Sequence, residues 1–204
     1  MNKGIKLASG DFMFFLNADD SFFDNNVLGN VVNKLKENPN AKILFGDIMN
    51  ITEDKGASLI KSYNNVKNIF FFLHENICHQ CIFYHKSLFD ELGEYSNDFK
   101  IYADWDFNVK CLVKNKKSVV YLPIIIANFQ LGGISSNASA QIIMRREKKV
   151  IINKYYKKDK ILIALNNFFE KNYTTLYRLF IENRIVEKLY KKITSKEIFQ
   201  LNLN

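Results

Sequence analysis

Proline and glycine are scarce, at 2 and 8 of 204 residues, beside 18 Phe and 10 Tyr. Collagen-like, elastic and linker-dominated chains need one or both in quantity, so those classes are excluded. Cysteine is limited to Cys78, Cys81 and Cys111. An odd count, with no apolar leader after Met1-Asn2-Lys3-Gly4, points to a reducing, cytoplasmic setting rather than a disulfide scaffold. No run of 18 apolar residues occurs, so no segment reads as a membrane span. No internal repeat and no low-complexity tract is present.

What remains is a composition typical of a folded domain, 48% hydrophobic and 25% charged. A chain of this length buries roughly 70% of its unfolded surface, enough for a core without metal or disulfide staples. The net charge of +8 is unevenly placed: residues 1–140 sum to −1 and residues 141–204 to +9. The two parts are therefore read separately, as a near-neutral body over 1–140 and a basic, helix-patterned region over 141–204.

Phe12 to Leu16 is a short apolar run that stops at Asn17-Ala18-Asp19-Asp20, the pattern of a buried strand ending in a polar loop. Asn25 to Glu37 carries Val27, Leu28, Val31, Val32 and Leu35 on one stripe and halts at Asn38-Pro39-Asn40, so it reads as a helix. Ala41 to Phe45 follows as a strand closed by Gly46-Asp47. Strand, helix, strand with short joints is a βαβ unit, which predicts an α/β fold whose sheet is parallel here. Met49 to Ser62 predicts a hairpin turning at Glu53-Asp54-Lys55-Gly56. Lys86 to Leu92 predicts a short helix ending at Gly93, and a longer one starts near Asp104. Ser118 to Phe129 is strand-forming, with Pro123 marking an edge or a bend.

Asn17-Ala18-Asp19-Asp20 is the first candidate for chemistry, because ligands of open α/β sheets gather outside the carboxyl ends of strands. Adjacent carboxylates there favour a hard divalent cation, Mg²⁺ or Mn²⁺, that keeps a phosphate in its shell. Alternatively these side chains cap the element that follows. Asp104 and Asp106 open a helix and, two apart, point in different directions; each is either functional or a helix-start acid favoured by the macrodipole. Trp105 either stacks on a ligand or fills the core. Cys78-x-x-Cys81 invites a redox or zinc reading, yet no second ligand pair stands downstream, and buried thiols are the reading retained.

Asn2 to Phe12 followed by Asn17-Ala18-Asp19-Asp20 resembles the centre of family 2 glycosyltransferases of the GT-A fold. The resemblance continues through Phe45-Gly46-Asp47, His79-Gln80, Leu92-Gly93-Glu94-Tyr95, Ala103-Asp104-Trp105-Asp106-Phe107 and Leu131-Gly132-Gly133-Ile134-Ser135. It covers residues 2 to about 137 and is closest to the branch that builds bacterial surface polysaccharides. It implies a GT-A-like mixed, mainly parallel sheet flanked by helices, with a basic C-terminal helical region. It also implies transfer of a sugar, with inversion, from a nucleotide-sugar donor, a UDP-sugar foremost, to a glycan or lipid-linked acceptor.

By the same resemblance Asp19 is the ligand of a Mn²⁺ or Mg²⁺ ion bridging the diphosphate. Asn17 and Asp20 contact the donor, Asn17 standing where the family usually has an Asp. His79 approaches a phosphate or the donor sugar, and Asp104 is the base that activates the acceptor. Ala103 stands where the family usually has a Glu. The chain starts at what resembles the middle of the nucleotide-binding half, with on the order of 60 residues of that half unaccounted for. A truncated gene product, an expressed fragment, a split enzyme completed by another segment, or a homodimer are the expectations this raises. An inactive fragment that only binds a partner or membrane surface is the alternative function. The basic region 141–204 reads as a solvated helix face or as a peripheral contact with the inner face of the membrane. No nucleic-acid-binding module is recognised, and no nucleic-acid partner is expected.

Overall fold

The computed structural model describes residues 1–52, 58–64, 66, 71–114, 118–132, 138–161, 163, 164 and 167. In chain order the elements are α1 (Asn2–Leu7), β1 (Phe12–Phe14), β2 (Ser21–Phe22), α2 (Val27–Glu37), β3 (Ile43–Ile51) and β4 (Ser58–Lys61). They continue with α3 (Phe71–His74), a 3₁₀ turn (His79–Cys81), β5 (Ile82–His85), α4 (Ser87–Leu92), α5 (Ala103–Lys114), β6 (Val119–Gln130) and α6 (Ala138–Tyr156). The expected hairpin turn at Glu53–Gly56, the Gly133–Ser135 part of the glycine motif, and residues 168–204 of the basic region lie outside the described residues.

The sheet is mixed, as expected, in the order β1-β5-β3-β6-β2 with β4 also on β3. Parallel pairing is nevertheless the minority: among the described residues β3 with β6 is the one parallel pair, and β1–β5, β3–β5, β3–β4 and β2–β6 are antiparallel. β1 and β3, the two ends of the βαβ unit, point the same way but do not touch, because β5 runs between them. A crossover helix restores strand direction without dictating which strand fills the gap.

β3 does not close at Gly46-Asp47 but continues to Ile51. Opposite Gly46 the partner bulges, so that Phe45 faces Tyr121 while Asp47 faces Ile125. A methyl group at Gly46 would lie 2.7 Å from the Ile124 carbonyl oxygen and 2.9 Å from that of Leu122. Pro123 sits inside this bulge, where no ladder donor is required of it, so the strand bends and continues as an interior strand. Gly46 is thus the residue that lets β6 press into β3.

The core draws on every element but β4, whose Leu59 and Ile60 are exposed. On α2, Val27 and Val31 are buried and Leu35 packs against the core while Leu28 and Val32 face outward, so two of the five residues of the expected stripe are surface. Phe89 of α4 stacks on Phe107 of α5 at 4.5 Å, and Tyr84 and Tyr95 pack edge-on or tilted around them. Asn2 on α1 clamps the backbone of Tyr95, donating to its carbonyl (2.9 Å) and accepting from its N–H (3.2 Å). The change of texture near residue 140 is not a break in packing. Ile151, Ile152 and Tyr156 of α6 belong to the same apolar core as the sheet.

Candidate active site

β1 delivers Asn17-Ala18-Asp19-Asp20 as a tight turn, in which the Asp20 N–H donates to the Asn17 carbonyl at 3.2 Å. Asn17 and Asp19 are exposed, and Asp19 has no hydrogen bond or ion pair among the described residues. Asp20 is half-buried and committed. Its Oδ2 accepts from Gln80 Nε2 at 2.8 Å, and its Oδ1 accepts from the Gln130 N–H at 3.3 Å. The two adjacent carboxylates have therefore separated roles: Asp20 ties the turn to the sheet and Asp19 faces outward.

The 3₁₀ turn is the junction of the site. Gln80, 1% exposed, reaches Asp20 on one side. On the other, His79 Nδ1 lies 3.3 Å from Asp104 Oδ2 in the first turn of α5. A carboxylate only accepts, so Nδ1 carries the proton of this pair. His79 Nε2 is buried without a partner among the described residues. The segment leading into the turn is anchored to α5 by Asn108, whose amide donates to Asn76 Oδ1 (2.8 Å) and the Ile77 carbonyl (3.2 Å), while Tyr84 donates to Asn108 at 2.6 Å. One short turn thus connects the acidic loop of β1 with the acidic start of α5.

Asp104 Oδ1 accepts from the Trp105 N–H at 2.7 Å, and its side chain is 16% exposed. Asp106 points elsewhere, into a pair with Lys154 (2.8 Å) and Tyr155 (3.0 Å) of α6. Trp105 is core: it is 2% exposed and its indole N–H donates to the Phe72 carbonyl at 3.0 Å. Asp47 is not a strand terminus. It lies mid-strand, accepting from the Tyr121 hydroxyl (2.9 Å) and the Tyr63 N–H (2.8 Å), because the bulge around Gly46 carries β3 past it.

Burial disfavours the thiolate form of the Cys78-x-x-Cys81 pair. Burial pushes Cys78 up to about 12 and Cys81 well above the usual thiol range. Cys78 Sγ–H is spent on Gln80 Oε1 at 2.7 Å, so the first thiol of the CxxC helps to orient the glutamine. His79 is placed against Asp104, not against the Asn17–Asp20 loop. Gln80, part of the His-Gln pair, received no role from sequence; a glutamine before an apolar strand is the only signal it offers.

A sequence model described as glycosyl transferase family 2 matches residues 1–93. This segment belongs to glycosyl transferase family 2. The family 2 match holds the Asn17–Asp20 loop and the His79-Gln80 turn but ends before Asp104. The PGL/p-HBAD biosynthesis glycosyltransferases of Mycobacterium bovis BCG Pasteur and Mycobacterium tuberculosis H37Ra are each 31% identical over 148 residues. That alignment takes in 72% of this chain and 56% of each relative, so the chain spans little more than half their length. Among solved structures, residues 1–349 of S. aureus TarS in complex with UDP align with a TM-score of 0.56 at 17% identity, over 92% of this chain and 55% of that one. TarS in complex with UDP-GlcNAc aligns with a TM-score of 0.55 at 13% identity, over 96% and 55%. At such identities the likeness concerns the fold, and the fold is GT-A-like.

Proposed function

We propose that this protein transfers a sugar from a nucleotide donor, a UDP-sugar, to a hydroxyl of a glycan or lipid-linked acceptor, with inversion. The observation that carries the reading is the 3₁₀ turn whose consecutive residues, His79 and Gln80, hold Asp104 and Asp20. Family membership and a fold shared with proteins that bind UDP and UDP-GlcNAc support it.

An acceptor hydroxyl has a very high pKa and needs a carboxylate within hydrogen-bond reach as its oxygen attacks. Asp104 Oδ2 supplies that acceptor for the proton, with its carboxylate held by the Trp105 N–H and by His79. A single base on the acceptor side favours one in-line displacement and hence inversion. On the donor side the residues fit a Mn²⁺ or Mg²⁺ ion of the kind that takes one or two carboxylates and completes its shell with phosphate and water. Asp19 would hold it, while Asp20 is already engaged by Gln80 and Gln130. When bound, such an ion offsets the charge that builds on the departing diphosphate. Asn17, exposed beside Asp19, offers an amide to the donor in place of a second charge.

We place the reaction at the cytoplasmic face of a membrane, because α6 turns Arg145, Arg146 and Lys149 outward together with Ile142 and Val150. The test uses the full chain in calorimetry with UDP and Mn²⁺, a UDP-release assay, and sedimentation with anionic vesicles. Asp19→Ala loses Mn²⁺-dependent UDP affinity, and Asp104→Asn keeps that affinity but loses transfer. Absence of UDP binding by the wild-type chain, or wild-type turnover in Asp104→Asn, overturns the transferase reading. Failure to sediment with anionic vesicles overturns the membrane placement.

A further inference from the structure

The carboxylate of Glu147, 8% exposed in the middle of α6, accepts three consecutive backbone N–H groups: Lys100 (2.6 Å), Ile101 (3.1 Å) and Tyr102 (2.8 Å). These amides immediately precede α5, and the Tyr102 carbonyl accepts the N–H of Asp106 at 2.9 Å as the helix begins. Glu147 therefore does from a distant element what a capping side chain does locally, and its negative charge meets the positive end of α5. Seven and eight residues later, two turns along the same face, Lys154 and Tyr155 grip Asp106 Oδ1. Asp106 is 3% exposed, so its charge depends on this pair. Burial, with the Asp106 carboxylate, pushes Tyr155 up, so its hydroxyl remains a donor.

Asp104 lies between these two grips and touches neither, its own contacts being His79 and the Trp105 N–H. We propose that Glu147, with Lys154 and Tyr155, is the positioning group of the reaction: it fixes the first turn of α5 and thereby the aim of the Asp104 carboxylate. The inference rests on the transferase reading above, and it gives α6 a role inside the site in addition to its outward basic face. Capping for stability alone would hold the helix without caring where Asp104 points, and the two roles separate experimentally.

Trp105, the single tryptophan, reports the same turn, since it packs edge-on against Tyr102 at 4.7 Å and donates to Phe72. In the full chain, Glu147→Ala shifts Trp105 emission to the red and increases its quenching by acrylamide, whereas Glu147→Gln, which keeps an acceptor oxygen, lies between it and wild type. The same variant lowers kcat roughly 10- to 100-fold with KM for the UDP-sugar changed less than about threefold, the signature of a misaligned base. Combined with Asp104→Asn, it lowers the residual rate no further. Tyr155→Phe, which removes only a hydroxyl, gives a smaller change in the same direction and guards against a Glu147→Ala chain that fails to fold. Unchanged Trp105 emission in both Glu147 variants overturns the inference, as does a loss of kcat that persists undiminished in the Asp104→Asn background. If instead Asp104→Asn retains wild-type turnover, the transferase reading fails, and the Trp105 signal alone decides whether α6 fixes this turn.

Discussion

Replacing Gln80 by Glu exchanges an amide for a carboxylate at a side chain whose Nε2 lies 2.8 Å from Asp20 Oδ2. Two like charges about 4 Å apart at an effective dielectric of 20 repel by about 4 kcal/mol. A second limit applies, because the new carboxyl can take up a proton and then donate to Asp20 as the amide did. Protonating a carboxyl of ordinary pKa costs about 4 kcal/mol at pH 7 and about 1 kcal/mol at pH 5. Gln80→Glu is therefore expected to destabilise the fold by about 3–4 kcal/mol at pH 7, with about 3 kcal/mol of that recovered by pH 5. Gln80→Leu lacks this escape. It leaves Asp20 Oδ2 and the Cys78 thiol without their Gln80 partner, costs about 1.5–3 kcal/mol, and shows little pH dependence relative to wild type. The assay is urea unfolding followed by Trp105 fluorescence at pH 5, 6 and 7, each variant compared with wild type at the same pH. A Gln80→Glu penalty below about 1 kcal/mol at pH 7, or one that does not shrink on acidification, would refute the placement of Gln80 against Asp20.

Gly46→Ala forces a methyl group within 2.7–2.9 Å of two β6 carbonyls and of Ile126. A loss on the order of 3 kcal/mol follows, a fall of about 6–12 °C in Tm by calorimetry for a chain of this size; an unchanged Tm contradicts the close approach of β6. Burial, with a smaller contribution from the Lys148 charge, lowers His74 to about 3 from 6.5. The folded protein keeps it neutral while the unfolded chain protonates, so this group adds no pH dependence above 6.5 and removes stability as pH falls from 6.5 toward 3. Between pH 6.5 and 4.5 the loss is about 2–3 kcal/mol; His74→Leu flattens that part of the profile, and an unaltered slope counts against a neutral, half-buried histidine.

Local signals carried much of the secondary structure. The Phe12 run, the helix halted before Pro39, the α4 stop at Gly93 (φ +80°) and the start of α5 at Ala103 all stand where side-chain chemistry put them. Strand adjacency was not legible, since nothing in Phe12–Phe14 or Ile43–Phe45 says that β5 will separate them. Gly46-Asp47 looked like punctuation because a glycine followed by an acid ends many strands. Its purpose, to admit a bulge from a strand some 75 residues away, exists only once β6 is in place. Within the site, the acidic loop and Asp104 were visible as residue types at element ends. Glu147 was hidden in a basic stretch, where a single acid reads as charge relief, and its three amide partners are backbone atoms that leave no mark in sequence.

The parallel β3–β6 pairing sets an order on how the protein can be made. Asp20 meets the Gln130 amide across 110 residues, and the backbone before Asp104 waits on Glu147, 45 to 47 residues further along. A growing chain that has already emerged through α5 still lacks the strand that carries Gln130 and the helix that carries Glu147. Contacts of such long sequence separation form late and slowly. The acidic loop and Asp104 are therefore written early in the chain but acquire their geometry only after α6 has left the ribosome, so the nascent polypeptide carries these side chains well before it has their arrangement.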